Sequence, residues 1–136
     1  MSNALYNTAK EAFLSGDLDL TEGNVKILLV KDSYIVDLNS HTFVSDISAE
    51  FIAGRSGILD NTTVNLGVFD ADNELVSEYG NSGFSYMVIY TDTGADNTSR
   101  LVAYIDTAEG LPVEATLADA SLVINWNDTA SKIFSL

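Results

Sequence analysis

No cysteine occurs in the 136 residues. That excludes a disulfide framework, a thiolate metal site and a cysteine nucleophile, and it leaves the redox compartment unread. Proline occurs once, at Pro112 after Gly110 and Leu111, in a connection where its missing backbone donor does no harm. Histidine also occurs once, as His41 beside Thr42 and Phe43, and no G-x-S-x-G elbow accompanies it. A Ser/His/Asp triad would have to recruit that single ring. The glycines are scattered singly through turns, so no phosphate-binding loop is present. No run approaches the roughly 18 apolar residues of a membrane span, and the first ten residues carry no basic segment followed by an apolar one. These absences lead us to expect a soluble, non-enzymatic protein made in the cytoplasm, with no catalytic residue, no cofactor and no metal.

Basic residues are scarce as well. Six Lys and Arg stand against 20 Asp and Glu, a formal net charge of −14. Such a field repels phosphate backbones and anionic headgroups, so neither nucleic acid nor a membrane surface is an expected partner. Between Arg55 and Arg100 there is no basic residue, while Asp60, Asp70, Asp72, Glu74, Glu78, Asp92 and Asp96 fall there, so the middle of the chain should present a negative face. Hydrophobic residues make up 46%, which is too apolar for an acidic disordered chain and enough for one packed core.

What is there is strand-like. Runs rich in Val, Ile, Tyr, Phe and Thr, bounded by Gly, Asn, Asp and Ser, place strands at 25–31, 62–69, 84–91, 99–106, 121–126 and 132–136, with weaker ones at 42–44 and 75–79. Met87 to Tyr90 are apolar on both parities and predict a strand buried on both faces; the alternation from Arg100 to Asp106 predicts a half-buried neighbour. The turn formers at 92–98 predict an antiparallel hairpin with a long exposed tip between these two. Gly54 and Gly57 interrupt 47–59, which reads as an irregular loop. Ahead of all this, Asn3 can cap a short helix over 4–15, with Leu5, Ala9, Ala12 and Phe13 on one side and Gly16 as its stop. The expected architecture is mainly β, a β-sandwich or jelly-roll-like single domain over 17–136 with a short N-terminal arm or helix over 1–16.

Few groups could carry chemistry. Asp70, Asp72, Asn73 and Glu74 offer oxygens at alternate positions, as calcium loops begin, but Leu75 and Asn81 stand where such a loop needs glycine and a bidentate glutamate. A plain turn is the better reading. Asn61, Asn97 and Asn127 head Asn-x-Ser/Thr sequences that matter only in a secretory context. Tyr79, Phe84, Tyr86, Tyr90 and Tyr104 could line a sugar-binding face, although core and cross-strand packing explains the same spacing.

Several segments together resemble small proteins encoded among tailed-phage structural genes. They are Asn3-Ala4-Leu5-Tyr6-Asn7 with Lys10, Glu11, Phe13 and Leu14; residues 25–31 and 42–46; NLGVFDAD at 65–72; VIYTDTG at 88–94; SRLVAYIDT at 99–107; GLPV at 110–113; and Trp126 with 132–136. The 47–59 stretch departs from that pattern. The resemblance implies a virion structural protein, and its size, β content and acidity fit a capsid decoration or cement protein on the outer surface of the head. The implied partners are the major capsid protein and further copies of the chain, as a homotrimer. Alternatives are a tail or fibre adaptor and a carbohydrate-binding β-sandwich module. The apolar and cationic residues near the two ends, Leu5, Lys10, Phe13, Lys132 and Phe134, are the candidate contact residues, either as a docking surface or as packing within one subunit.

Overall fold

The structure is a computed structural model that describes residues 4–20, 24–59, 62–65, 68–70, 74–76, 84–105, 122–124 and 134–135. It is mainly β. Five antiparallel strands make the principal sheet: β1 (Ala4–Leu5), β2 (Asn24–Val30), β3 (Ile52–Arg55), β7 (Tyr86–Asp92) and β8 (Leu101–Ile105), in the order β1-β8-β7-β2-β3. Five strands that fall between β3 and β7 or follow β8 in sequence form smaller sheets. β4 (Thr63–Asn65) and β5 (Val68–Asp70) join β10 (Phe134–Ser135), while β6 (Glu74–Val76) pairs with β9 (Leu122–Ile124). One helix, α1 (Asn7–Ser15), follows β1, and single 3-10 turns occupy Val44–Asp46 and Ala49–Phe51.

The strongest apolar runs take the centre of the sheet. β2 and β7 pair over seven residues, with Ile27 opposite Ile89, and Ile89 is in turn opposite Ala103 of β8. Met87 to Thr91 are all buried, as the run apolar on both parities predicts. β8 departs from expectation: Leu101 to Ile105 are buried on both parities rather than half-buried. β1 closes its outer flank, with Ala4 opposite Tyr104 and Leu5 opposite Ala103, and α1 packs close by. Each fully buried Ile, Leu or Val of these strands contributes about 1.5–3 kcal/mol relative to an exposed one. Phe69 of β5, Phe84 and Leu59 belong to the same buried cluster as the central strands.

The helix begins three residues later than the Asn3 cap would place it. Tyr6 occupies the cap position in an extended conformation without a side-chain cap, and its carbonyl accepts from Ala9 and Lys10. The open edge of β8 draws Ala4 and Leu5 into the ladder, and Tyr6 N donates to the Val102 carbonyl at 3.0 Å, which keeps these residues out of the helix. Ala9 and Ala12 face the core, Phe13 is partly buried, and Leu14 is 91% exposed. The stop is as expected. Gly16 takes φ 83, Asp17 N reaches the Ala12 carbonyl at 2.9 Å and Gly16 N the Phe13 carbonyl at 3.4 Å, the paired bonds of a left-handed helix ending.

Three further expectations are corrected. The 47–59 stretch is not irregular throughout, because Ile52–Arg55 forms edge strand β3, with Gly54 opposite Leu29 and Arg55 opposite Leu28. Ser56 N and Leu59 N continue along β2 by donating to Ile27 and Val25. A strand buried like β2 needs its carbonyls paired on both flanks, and glycine is tolerated at an edge. The single strand at 62–69 is instead two, since β4 and β5 pair with Val64 opposite Phe69. The weak strand at 42–44 reduces to one bridge between Phe43 and Arg100, after which Asp46 accepts from the backbone N–H groups of Thr42 and Phe43 and winds the chain into a 3-10 turn. Pro112, Trp126, Asn127 and Lys132 lie outside the described residues.

Candidate functional site

Of the candidate contact residues, those described fall on β1, α1 and β10. Leu5 sits in β1 and Phe13 on α1, and both pack against the buried cluster of their own subunit. Lys10 is exposed on α1. Phe134 lies in β10 with its backbone opposite Phe69, and Lys132 is outside the described residues. β1 and α1 are thus built into the sheet and its core.

The aromatic residues are also largely interior. Phe84, Tyr90 and Tyr104 are buried and Tyr86 is partly so, its ring 5.2 Å from that of Tyr104. Tyr79 is outside the described residues. A sugar-binding face needs exposed rings. Packing accounts for these. Of the acidic cluster, Asp70 ends β5 and Glu74 starts β6, while Asp72 and Asn73 are outside the described residues; among the described residues no three His, Cys, Asp or Glu side chains are grouped to hold a metal.

His41 belongs to a polar chain that sequence reasoning passed over. Tyr6 and Tyr34 hydroxyls meet at 2.9 Å, and Tyr34 reaches His41 Nδ1 at 2.8 Å with the two rings stacked. Backbone N–H of Asp37 also donates to Nδ1, at 3.3 Å. An amide can only donate, so Nδ1 is the acceptor and Tyr34 must give it the hydroxyl proton. Tyr6 therefore donates to Tyr34, and the neutral ring carries its proton on Nε2. Burial pushes the Tyr34 phenol up to about 12, and burial first, then Tyr34, pushes Tyr6 well above the ordinary phenol range. Around this chain, Asn7 N donates to the Leu38 carbonyl at 2.8 Å and Thr8 Oγ1 to the His41 carbonyl at 2.9 Å, so the loop from Asp37 to His41 is tied to the first turn of α1. These bonds are structural. With Nδ1 engaged by Tyr34 and Asp37, the nitrogen left to face a substrate is Nε2–H, a donor and not a base.

Among the described residues, an organised exposed element is the tip joining β7 to β8. Residues 93–98 are all exposed, as expected from their composition. Gly94 takes φ 93, and Asp92 Oδ1 accepts its N–H at 3.0 Å. Ser99, fully buried, donates to the Ala95 carbonyl at 2.8 Å and accepts from Thr93 N at 3.1 Å. Two ion pairs brace the tip. Lys26 of β2 meets Asp92 at 2.7 Å, and Arg55 of β3 grips Asp96 through both carboxylate oxygens at 2.8 Å. Lys26 foremost holds the Asp92 carboxyl below the ordinary carboxylate range, and Arg55 foremost does the same for Asp96. Ser45 N donates to the Asp96 carbonyl at 3.0 Å, and Arg100 lies 5.4 Å from the centre of the Phe43 ring. Loop and strands are far apart in sequence here, so no local pattern announces the arrangement.

Comparison with models of known protein families, with curated proteins and with solved structures gives no match in any of the three.

Proposed function

We propose that this chain is a non-enzymatic structural protein of a tailed-phage virion, a decoration or cement protein that binds the outer surface of the head and stabilises it. The observation that carries this reading is where the resemblance to tailed-phage structural proteins falls in the fold. Asn3-Ala4-Leu5-Tyr6-Asn7 leads through β1 into α1, 25–31 spans most of β2, and 88–94 with 99–107 spans most of β7, the start of the tip and all of β8. Four of the five strands of the principal sheet, with their connecting helix, therefore come from the resembling segments. The departing stretch, 47–59, supplies the edge strand β3 and the residues that continue it along β2. A shared framework with a divergent edge is the pattern of one fold adapted to different surroundings.

Acidity supports the outside of a shell over its DNA-lined inside, since 20 acidic residues against 6 basic ones oppose phosphate. Partners under this reading are the major capsid protein and further copies of the chain as a trimer, with neither nucleic acid nor membrane among them. The two-layer sandwich belongs to the same proposal, with Phe69 of β5 sharing a buried cluster with β2 and β7. Mass spectrometry of purified virions joined to a density map of the particle tests the whole. Density for this chain on the outer face of the head is the expected result. Density only at the tail or fibres would replace decoration by an adaptor role, and absence from virions would overturn both.

A further inference from the structure

We propose that Tyr34 and His41 form a redox site, at which a one-electron oxidant removes an electron from the Tyr34 ring while the phenolic proton passes to His41 Nδ1, leaving a neutral tyrosyl radical beside an imidazolium. The inference goes beyond the virion reading and stands or falls apart from it. The step balances within the pair. The O–H bond of Tyr34 breaks, an N–H bond forms on His41, and the electron goes to the oxidant, an oxygen-centred radical or a metal complex of high potential. A one-electron reductant such as ascorbate restores the phenol as the proton returns along the same bond.

Composition directs oxidation to the aromatic rings. The chain has no cysteine to intercept an oxidising equivalent, while six tyrosines and one tryptophan are present. Geometry singles out Tyr34 among the described tyrosines. Burial pushes its phenol up to about 12, so in neutral solution it keeps its proton and can be oxidised to a stable radical only by losing that proton with the electron. His41 Nδ1 accepts the hydroxyl at 2.8 Å with the two rings stacked, and a nitrogen so placed is a base in position. His41 is the single histidine of the chain, so no second tyrosine has another imidazole to turn to. Tyr90, by comparison, faces the Arg55 guanidinium, which only donates.

The surroundings suit both products. Tyr6 donates to the Tyr34 oxygen at 2.9 Å and stabilises electron density left there. Asp37 and Asp46 interact with His41 and offset the positive charge it gains. The contact given up is the longer one, from Asp37 N at 3.3 Å. Further rings lead towards the surface. Tyr104 lies 6.5 Å from Tyr34 and Tyr86 lies 5.2 Å from Tyr104, centre to centre, with Tyr86 partly exposed at the start of β7. Electronic coupling falls steeply with distance, so an oxidising equivalent that lands on Tyr86 hops along these rings and comes to rest where the base is.

Flash oxidation of the full-length protein at neutral pH by photogenerated ruthenium(III) tris-bipyridine, followed by transient absorption and by electron paramagnetic resonance of frozen samples, tests this. Wild type should show a fast phase of tyrosyl radical formation that slows in deuterium oxide. Tyr34→Phe should abolish that phase, and Tyr90→Phe should leave it unchanged. His41→Gln keeps a hydrogen-bond acceptor but not a base, and should slow the phase by at least about a hundredfold, the typical contribution of a positioned general base. Circular dichroism confirms that each variant is folded; if Tyr34→Phe is not, His41→Gln and the isotope effect decide. A fast phase that survives Tyr34→Phe, a rate unchanged by His41→Gln, or a wild-type rate insensitive to deuterium would each overturn the proposal.

Discussion

Tyr6 donates its hydroxyl proton to Tyr34 at 2.9 Å across 28 residues of sequence, and both rings are buried. The bond ties the entry of α1 to the loop that holds His41. Tyr6→Phe leaves the Tyr34 oxygen without its buried donor, and the expected cost is about 1–2 kcal/mol in denaturant unfolding at pH 7. Spectrophotometric titration gives a second readout. Tyr34, pushed up to about 12 chiefly by burial, should ionise later than an exposed tyrosine, and Tyr6 later still. Ionisation of all six tyrosines in one step near pH 10 would contradict the buried chain.

The ion pairs at the tip predict a defined acid sensitivity. Asp92 and Asp96 have carboxyls held below their unfolded values, chiefly by Lys26 and Arg55, so the unfolded chain binds these protons at higher pH than the folded one. Their contribution is fully present above the unfolded carboxylate range near pH 4 and is lost as pH falls through the lowered folded values. Asp96→Asn should therefore flatten the loss of stability below about pH 4, measured by urea unfolding at several pH values. Near neutrality the change should be small, about 0.5–1 kcal/mol, because both partners of the Arg55 pair are more than a third exposed. An acid slope unchanged by the substitution would show that the pair does not hold in solution.

What the sequence made legible, and what it hid, follows from the reach of the interactions. β2, β7 and the tip could be read because a run such as Met87 to Tyr90 or a turn cluster such as 92–98 is self-contained. β8 was misjudged because α1, from the other end of the chain, packs against it while β1 pairs its edge. The same pairing moved the helix start from Asn3 to Tyr6. β3 was hidden by Gly54 and Gly57, which read as breakers until β2 supplies a partner. Nothing near Arg55 announces Asp96, 41 residues away, so the braced tip could be foreseen as a loop but not as a fixed one.

The helix stop offers a local test. Gly16 adopts φ 83, and a β-carbon built there would meet nothing within 4 Å, so the cost of a side chain is conformational alone. Gly16→Ala should destabilise by about 1–2 kcal/mol, the cost of a left-handed conformation for an L-residue. Thermal melting should show it. An alanine variant as stable as wild type would mean that the helix does not end in this way.

Removing residues 1–15 separates the two readings of the N-terminus. A detachable arm would leave the β domain as stable as before, whereas the contacts described here make the segment part of the fold. Deletion takes Tyr6, Ala9 and Ala12 out of the core and uncovers the flank of β8. Burial of Tyr6 alone is worth about 1.5–3 kcal/mol. The bonds from Tyr6 N to Val102 and from Asn7 N to Leu38, at 3.0 and 2.8 Å, add about 1 kcal/mol each. Together these reach about 4 kcal/mol, a large share of the 5–15 kcal/mol by which a domain is typically stable. At about 3–5 °C per kcal/mol, Tm should fall by at least about 10 °C. Tyr6→Ala in the full-length chain should reproduce much of the loss while leaving exposed Lys10 and Leu14 in place, so the stability effect can be told from the loss of a docking surface. If the truncated protein melts where the wild type does and only capsid binding is lost, the segment is an arm and its packing against β8 is not formed in solution.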